Sequence, residues 1–289
     1  MLNNNLKIFV AVAEHGSVSA AARTLFISAP AVSQAVKALE KELDIQLFMR
    51  SRHAGMVLTS AGAAILKLAG QMLALEEQMH QQVAQEKGPL CGTLRLASVP
   101  ALSGPLLAEP IAAFARRYPG LHIDLQEGTP DEVAELLENG LADLAVSASP
   151  FGRLQTRTLL EDEMIAISSP DSATSAGFAF DAHPHGLILT RAAAETLREQ
   201  TDQPVSPDAH CNFVVQDTET VVRLTAAGNG TGLVSRFALD STGCSLPRCP
   251  LVPPLRLKIG LSARDFSALS PAAAAFVREL EQTFPTALF

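Results

Sequence analysis

The chain has 289 residues and a mass of 30.5 kDa, beyond the roughly 100–150 residues of one ordinary domain, so two or three units are expected. With 47 % hydrophobic and 18 % charged residues it can bury a sizeable core and is not a disordered chain. One tyrosine, Tyr118, and no tryptophan leave little for a carbohydrate-stacking surface, and no apolar run approaches the ~18 residues that cross a bilayer.

The N-terminal run Met1-Leu2-Asn3-Asn4-Asn5-Leu6-Lys7 lacks the basic flank and small-residue cleavage site of a signal peptide. A cytoplasmic location with no membrane partner is therefore expected, with Cys91, Cys211, Cys244 and Cys249 as thiols. These cysteines form neither a CxxC pair nor a zinc spacing. The net charge of −8 is unevenly spread: residues 1–59 carry six basic side chains against four acidic, and the remainder sixteen against twenty-six. A small basic module attached to an acidic body is one reading, and an ordinary fluctuation is the other.

Three helices are legible first. Leu6, Phe9, Val10 and Ala13 recur at helical spacing, and His15-Gly16 ends that helix. Ser17 is an N-cap for a second, carrying Val18, Ala21, Ala22 and Leu25 on one stripe. After a break at 26–29, Ser28 caps a third helix with Pro30 and Ala31 in its first turn, where a missing N–H costs little. Val32, Val36, Leu39 and Leu43 are expected on its buried face and Ser33, Gln34, Lys37 and Lys41 on the opposite one. Two short helices joined by a tight turn make a helix-turn-helix, whose outward face fits the DNA major groove. Residues 48–58 then read as two short strands around the basic tip Arg50-Ser51-Arg52-His53, a wing able to lie along a phosphate backbone. A merely solvated helix face is the alternative; cap, turn and basic wing in succession favour the groove reader.

Thr59 or Ser60 caps a long helix to about residue 86, which at 1.5 Å per residue spans about 40 Å. Along it Ile65, Leu68, Met72, Leu75, Met79 and Val83 recur at coiled-coil spacing. This favours a dimerisation helix over one lying on its own domain, because operators read by helix-turn-helix dimers have two half-sites. The expected domains are thus a winged helix-turn-helix at 1–59, a linker helix at 60–87, a Gly/Pro hinge at 88–92 and a ligand-binding domain at 93–289. Strands alternate with helices in that last domain. Subdomain I is strands at 93–98, 122–127, 144–147, 156–160 and 164–168, helices at 102–118 and 129–139, and a returning strand and helix at 255–261 and 271–284. Subdomain II covers about 169–254. The βαβαβ order implies a parallel sheet with right-handed crossovers.

Two such units leave a cleft near the C-terminal ends of their strands. Its candidate lining is Ser98, Val99, Pro100, Ser103, Thr129, Ser147, Ala148, Ser149, Thr190 and Arg191. Two helix N-termini and Arg191 converging there would favour a small carboxylate, unless Ser98, Ser103 and Thr129 act only as helix caps. In the N-terminal module, the Gln34 amide can pair with adenine, and Ser33 and Lys37 can reach base edges or backbone. Arg50, Arg52, His53 and Thr59 are expected on phosphates. No GxSxG elbow, P-loop or HExxH is present, so an enzyme is not expected. Gly228-Asn229-Gly230-Thr231-Gly232 follows a helix and reads as a C-cap turn rather than a nucleotide loop, and His183-Pro184-His185 reads as a surface turn before a metal site.

The chain resembles a LysR-type transcriptional regulator along its length. The residues that carry the resemblance are Ser17-Val18-Ser19-Ala20-Ala21-Ala22, Ser28-Ala29-Pro30-Ala31-Val32-Ser33-Gln34, Ala38-Leu39-Glu40, Leu47-Phe48 with Arg50, and Leu58-Thr59-Ser60-Ala61-Gly62. Further on, Gly92-Thr93-Leu94-Arg95, the stretch from Phe114 to Pro119 and Gly140-Leu141-Ala142-Asp143-Leu144-Ala145 match more loosely. The resemblance implies an α/β protein: an all-α winged helix-turn-helix, a linker helix and a two-subdomain effector domain like a periplasmic binding protein. It implies double-stranded DNA and a small-molecule co-inducer as partners, no cofactor, homodimers that pair into homotetramers, and RNA polymerase as a candidate further partner. The family usually has Gln at position 29 and a basic residue then Gln at 34–35, where this chain has Ala29, Gln34 and Ala35, so its target sequence is not carried over from a relative. The alternatives are a cytosolic solute-binding protein, or a redox-sensing regulator using Cys244 and Cys249.

Overall fold

The computed structural model describes residues 2–51, 55–85, 90–170, 177–179, 186–200 and 211–284. The N-terminal module is α1 (Leu2–His15), α2 (Val18–Thr24), α3 (Ala29–Leu43) and a hairpin of β1 (Phe48–Ser51) and β2 (Gly55–Leu58). Both expected caps are made: the Ser17 and Ser28 hydroxyl oxygens accept from the Ala20 and Ala31 N–H groups at 3.4 and 3.3 Å. Phe9, Val12, Ala21, Val32, Leu39 and Leu47 are completely buried between these elements. Leu43 departs from expectation. It is 36 % exposed, because α3 stops one residue later at Asp44 in left-handed backbone (φ 55°) and its last turn overhangs the core.

The linker helix α4 spans Ser60–Gln85 and has two faces with different fates. Leu66 and Ala69 close the N-terminal core, with Ile65 half-buried beside them. Leu68, Met72, Leu75, Met79 and Val83 instead stand between 49 % and 63 % exposed.

The C-terminal body contains β3 (Gly92–Ser98), β4 (Leu121–Glu127), β5 (Leu144–Ala148), β6 (Gln155–Ile167), β7 (Phe178–Ala179), β8 (Leu187–Thr190), β9 (Cys211–Val215), β10 (Thr231–Ser235), β11 (Arg248–Val252) and β12 (Arg256–Ala263). Its helices are α5 (Pro100–Leu102), α6 (Ala108–Arg117), α7 (Pro130–Glu138), α8 (Arg191–Gln200), α9 (Thr218–Ala226), α10 (Arg236–Ser241) and α11 (Pro271–Thr283). Strands follow the order β4-β3-β5-β12-β6-β10-β8-β9, with β11 paired to β6 and β7 to β11. The sheet is mixed rather than parallel. β3, β4 and β5 run parallel, as do β8, β9 and β10, but β12 is antiparallel to both β5 and β6.

The expected strands at 156–160 and 164–168 are one strand, β6, which passes from subdomain I into subdomain II. The acidic run Glu161-Asp162-Glu163 looks like a turn in sequence but is held in the sheet. The Asp162 carboxylate accepts from the Ser235 hydroxyl and the Phe237 N–H, and Glu163 pairs with Arg236. The expected helix at 102–118 is broken by a π-helical turn at Ser103–Leu107, where Pro105 has no N–H to give. β7, β11 and α10 lie outside the expected elements: β7 is two residues long, α10 is six, and the alternating burial of β11 is obscured in sequence by Pro250 and Val252 at its exposed positions. Gly228 does cap a helix, with φ 76° just after α9.

Part of the expected hinge is anchored, since Leu90 is buried in the subdomain I core and Gly92 opens β3; Lys87 to Pro89 lie outside the described residues. The linker helix is docked too. Thr93 N–H donates to Glu77 Oε1 at 3.0 Å, and the buried Gln81 amide donates to the Thr93 carbonyl at 3.0 Å while accepting from Ala272 N–H at 3.3 Å. Further up, a Cβ on Gly70 would lie 1.9 Å from the Asn139 carbonyl oxygen. Gly70→Ala is therefore expected to destabilise the protein by about 1–3 kcal/mol. The check is a urea titration, in which an unshifted midpoint would show that the helix is not packed this way.

Candidate nucleic-acid interface and ligand cavity

The α3 flank opposite the core faces solvent: Gln34 and Lys37 are exposed and Ser33 and Ala31 half-buried, with Ser28 and Pro30 exposed at the helix start. The Glu40 carboxylate of the same helix is spent on structure. Its Oε1 accepts from the Leu47 and Phe48 N–H groups at 2.9 and 3.3 Å, fixing β1 to the end of α3. The sequence reading missed this role, since Glu40 is one of two acids in α3, with Glu42, and no local pattern separates them. Arg50 lies in β1 opposite Met56; Arg52 and His53 fall outside the described residues. Thr59 stands at the start of α4. Its oxygen accepts from Gly62 N–H at 2.8 Å and its hydroxyl donates to the Gln46 carbonyl at 2.7 Å, so it caps α4 and ties that helix to the wing.

A cavity of ≈320 Å³ opens where α7 and β5 of subdomain I meet α8 of subdomain II. Of the ten expected lining residues it includes Val99, Ser147 and Ala148. The other seven are not in that lining. Ser98 and Ser103, both buried, donate to the Val99 carbonyl at 3.1 and 3.3 Å, and Pro100 opens α5. Thr129 forms a complete capping box with Glu132. Ser149 Oγ accepts from Lys258 N–H and Thr190 Oγ1 from Ala193 N–H, at 3.0 and 3.1 Å. Arg191, the first residue of α8, is exposed and absent from the lining.

The sequence reading missed Asp131, Ala134 and Glu138 on one face of α7, Phe151, Arg153 and Leu154 on the loop before β6, and Thr196 on α8. Their signal was weak because the reading took strand ends and left out the loop that covers them. Glu138 also meets Lys67 of α4 at 3.6 Å, and a Cβ on Gly140 would lie 2.9 Å from the Gln71 nitrogen. So α7 walls the cavity along its length, and its C-terminal end abuts the linker helix.

Two family models cover the chain: a bacterial regulatory helix-turn-helix of the lysR family over residues 3–63, and a LysR substrate binding domain over residues 87–285. The chain belongs to the LysR family of transcriptional regulators. It is 33 % identical over 281 residues to the HTH-type transcriptional regulator YoaU of Bacillus subtilis, covering 96 % of this chain and 97 % of that one. The regulator LrrA of Synechococcus elongatus is 30 % identical, with 97 % and 96 % covered. Among solved structures, a full-length OxyR variant from Pseudomonas aeruginosa superposes with a TM-score of 0.69 at 22 % identity, covering 99 % of this chain and 95 % of its own. CbnR in complex with its target DNA gives 0.60 at 22 %, covering 98 % and 100 %. This LysR-type chain is accordingly a DNA-binding transcriptional regulator with a substrate-binding domain, and not an enzyme.

The redox alternative finds little support in the regulator's cysteines. Cys249 is buried, and burial pushes its thiol up, away from the thiolate that reacts. The half-buried Cys244 sulfur accepts from Leu246 N–H at 3.4 Å. Among the described residues no cluster of metal ligands occurs and no helix is long and apolar enough to cross a membrane. His183 and His185 lie outside them.

Proposed function

We propose that the chain is a cytoplasmic regulator that reads a two-half-site operator as a homodimer, paired further into a tetramer. A small carboxylate-bearing metabolite, held between the subdomains with Arg153 as its cation, alters how the two half-sites are engaged. The observation that carries the DNA reading is the division of α3: Val32, Val36 and Leu39 lock one flank into the core, while Gln34 and Lys37 stand clear on the other. Gln34 offers donor and acceptor to an adenine edge, and Lys37 a cation to guanine or phosphate. With Ala29 and Ala35 supplying no polar group, DNA shape and bendability carry more of the specificity.

The exposed stripe on α4 is the dimer seam in this reading, since five large apolar side chains in coiled-coil register gain most from a second copy. Ligand binding acts through α7. A ligand that draws α7 toward α8 moves the Glu138–Gly140 end, and the close contact with Gly70 and Gln71 leaves the linker helix no slack. The angle between linker helices then changes, and with it the bend of the DNA. RNA polymerase beside the operator is the proposed recipient of that change.

Gln34→Ala is expected to cost roughly 1–3 kcal/mol on an operator found by in vitro selection and clearly less on random duplex. Equal losses in paired binding titrations would remove Gln34 as a reader. Leu75→Glu places a charge in the proposed seam, and sedimentation should then show the assembly falling to monomers. Retention of the dimer would place the interface elsewhere.

A further inference from the structure

We infer that the cavity takes a zwitterion of amino-acid type, with ammonium and carboxylate together; this rests on the cleft reading above and narrows it. Three charged residues line the cavity: Asp131, Glu138 and Arg153. Glu138 is already partnered by Lys67 across the domain boundary. The remaining two are opposite in sign and both exposed at the cavity, Asp131 in the first turn of α7 and Arg153 in the loop between β5 and β6. Among the described residues no ion pair joins them to each other or to a third group.

Charge complementarity selects among ligands. A plain carboxylate would pair with Arg153 and set its charge against Asp131. A plain amine would satisfy Asp131 and face Arg153. Only a molecule carrying both charges leaves neither side chain opposed, and its net charge of zero matches a lining whose free charges cancel. Asp131 also sits where a helix dipole favours an acid, but that first turn is already served by Glu132, which accepts from the Thr129 N–H at 2.8 Å. Val99, Val133, Phe151 and Leu154 supply an apolar wall for the side chain of such a ligand. The volume, ≈320 Å³, is at the small end for ligand sites and suits a single amino acid rather than a peptide.

The test is a thermal-shift screen of the full-length protein, followed by calorimetry, against the common L-α-amino acids, the matching α-keto acids and the matching decarboxylated amines. At least one amino acid is expected to bind while its keto acid and its amine do not. Asp131→Asn and Arg153→Gln should each weaken that binding roughly ten- to hundredfold, with retention on random DNA unchanged. Binding of a keto acid or amine as tight as the amino acid, indifference to Asp131→Asn, or no amino acid binding at all would overturn the zwitterion. The first two results leave the cleft standing if Ala134→Trp, which fills the cavity, abolishes binding. Binding that survives that plug would overturn the cleft and the zwitterion together.

Discussion

The close approach of α4 to the turn after α7 is the constraint on which the rest of the molecule depends. Gly70 and Gly140 bring two backbones together at distances that no side chain tolerates. That approach puts Leu141 of the C-terminal body into the core of the N-terminal module, and Leu136 against the cores of both. The hydrogen bonds of Glu77, Gln78 and Gln81 extend the attachment along the helix to β3 and the start of α11. The ion pairs that accompany it, Lys67–Glu138 and Lys7–Glu76, keep much of their exposure and contribute little by themselves. Backbone fit and buried amide bonds, not charge, hold the linker helix in place.

This docking resolves an apparent conflict in the linker sequence. A helix of 26 residues needs a face for its own chain and a face for a partner, and both draw on apolar and small side chains. The chain separates them by size. Small residues, Ala69, Gly70 and Ala74, with the buried amide of Gln81, serve the inner face, where backbones come close. Leu68, Met72, Leu75, Met79 and Val83 serve the outer one, where long side chains can interdigitate. The periodicity of the large residues alone showed only the second face.

Much of the N-terminal module was legible because its signals are local. Ser17, Ser28 and Pro30 mark helix starts whatever the surroundings, and Val32, Val36 and Leu39 define a face by spacing alone. The cavity was harder because its walls are set by tertiary choices. Ser98, Ser103, Thr129 and Thr190 have the chemistry of ligand contacts, yet each finds a backbone partner within five residues, which a short hydroxyl side chain does at little entropic cost. Arg153 and Asp131, unremarkable in sequence, come to line one cavity only through the tertiary fold. The continuity of β6 was hidden for a similar reason, since its acidic centre is satisfied by Ser235, Phe237 and Arg236, more than seventy residues away.

The uneven charge now acquires a physical role. The body beyond residue 59 carries an excess of ten acidic groups, and a DNA-binding regulator with such a body is repelled by phosphate everywhere except at its slightly basic end. Non-specific affinity comes mainly from cation–phosphate contacts, and residues 1–59 offer only six basic side chains for them. In the proposed reading, specific binding then comes from geometry: two readers held at a fixed separation, each with a small number of base-edge contacts. A regulator built this way responds steeply to changes in spacing, because misplacing one half-site loses contacts that non-specific attraction cannot replace. The rigid attachment of the linker helix and the sparse polar face of α3 are therefore complementary features. Under the proposed function, the first makes small movements in the ligand cavity matter at the DNA, and the second leaves little electrostatic affinity to hide them.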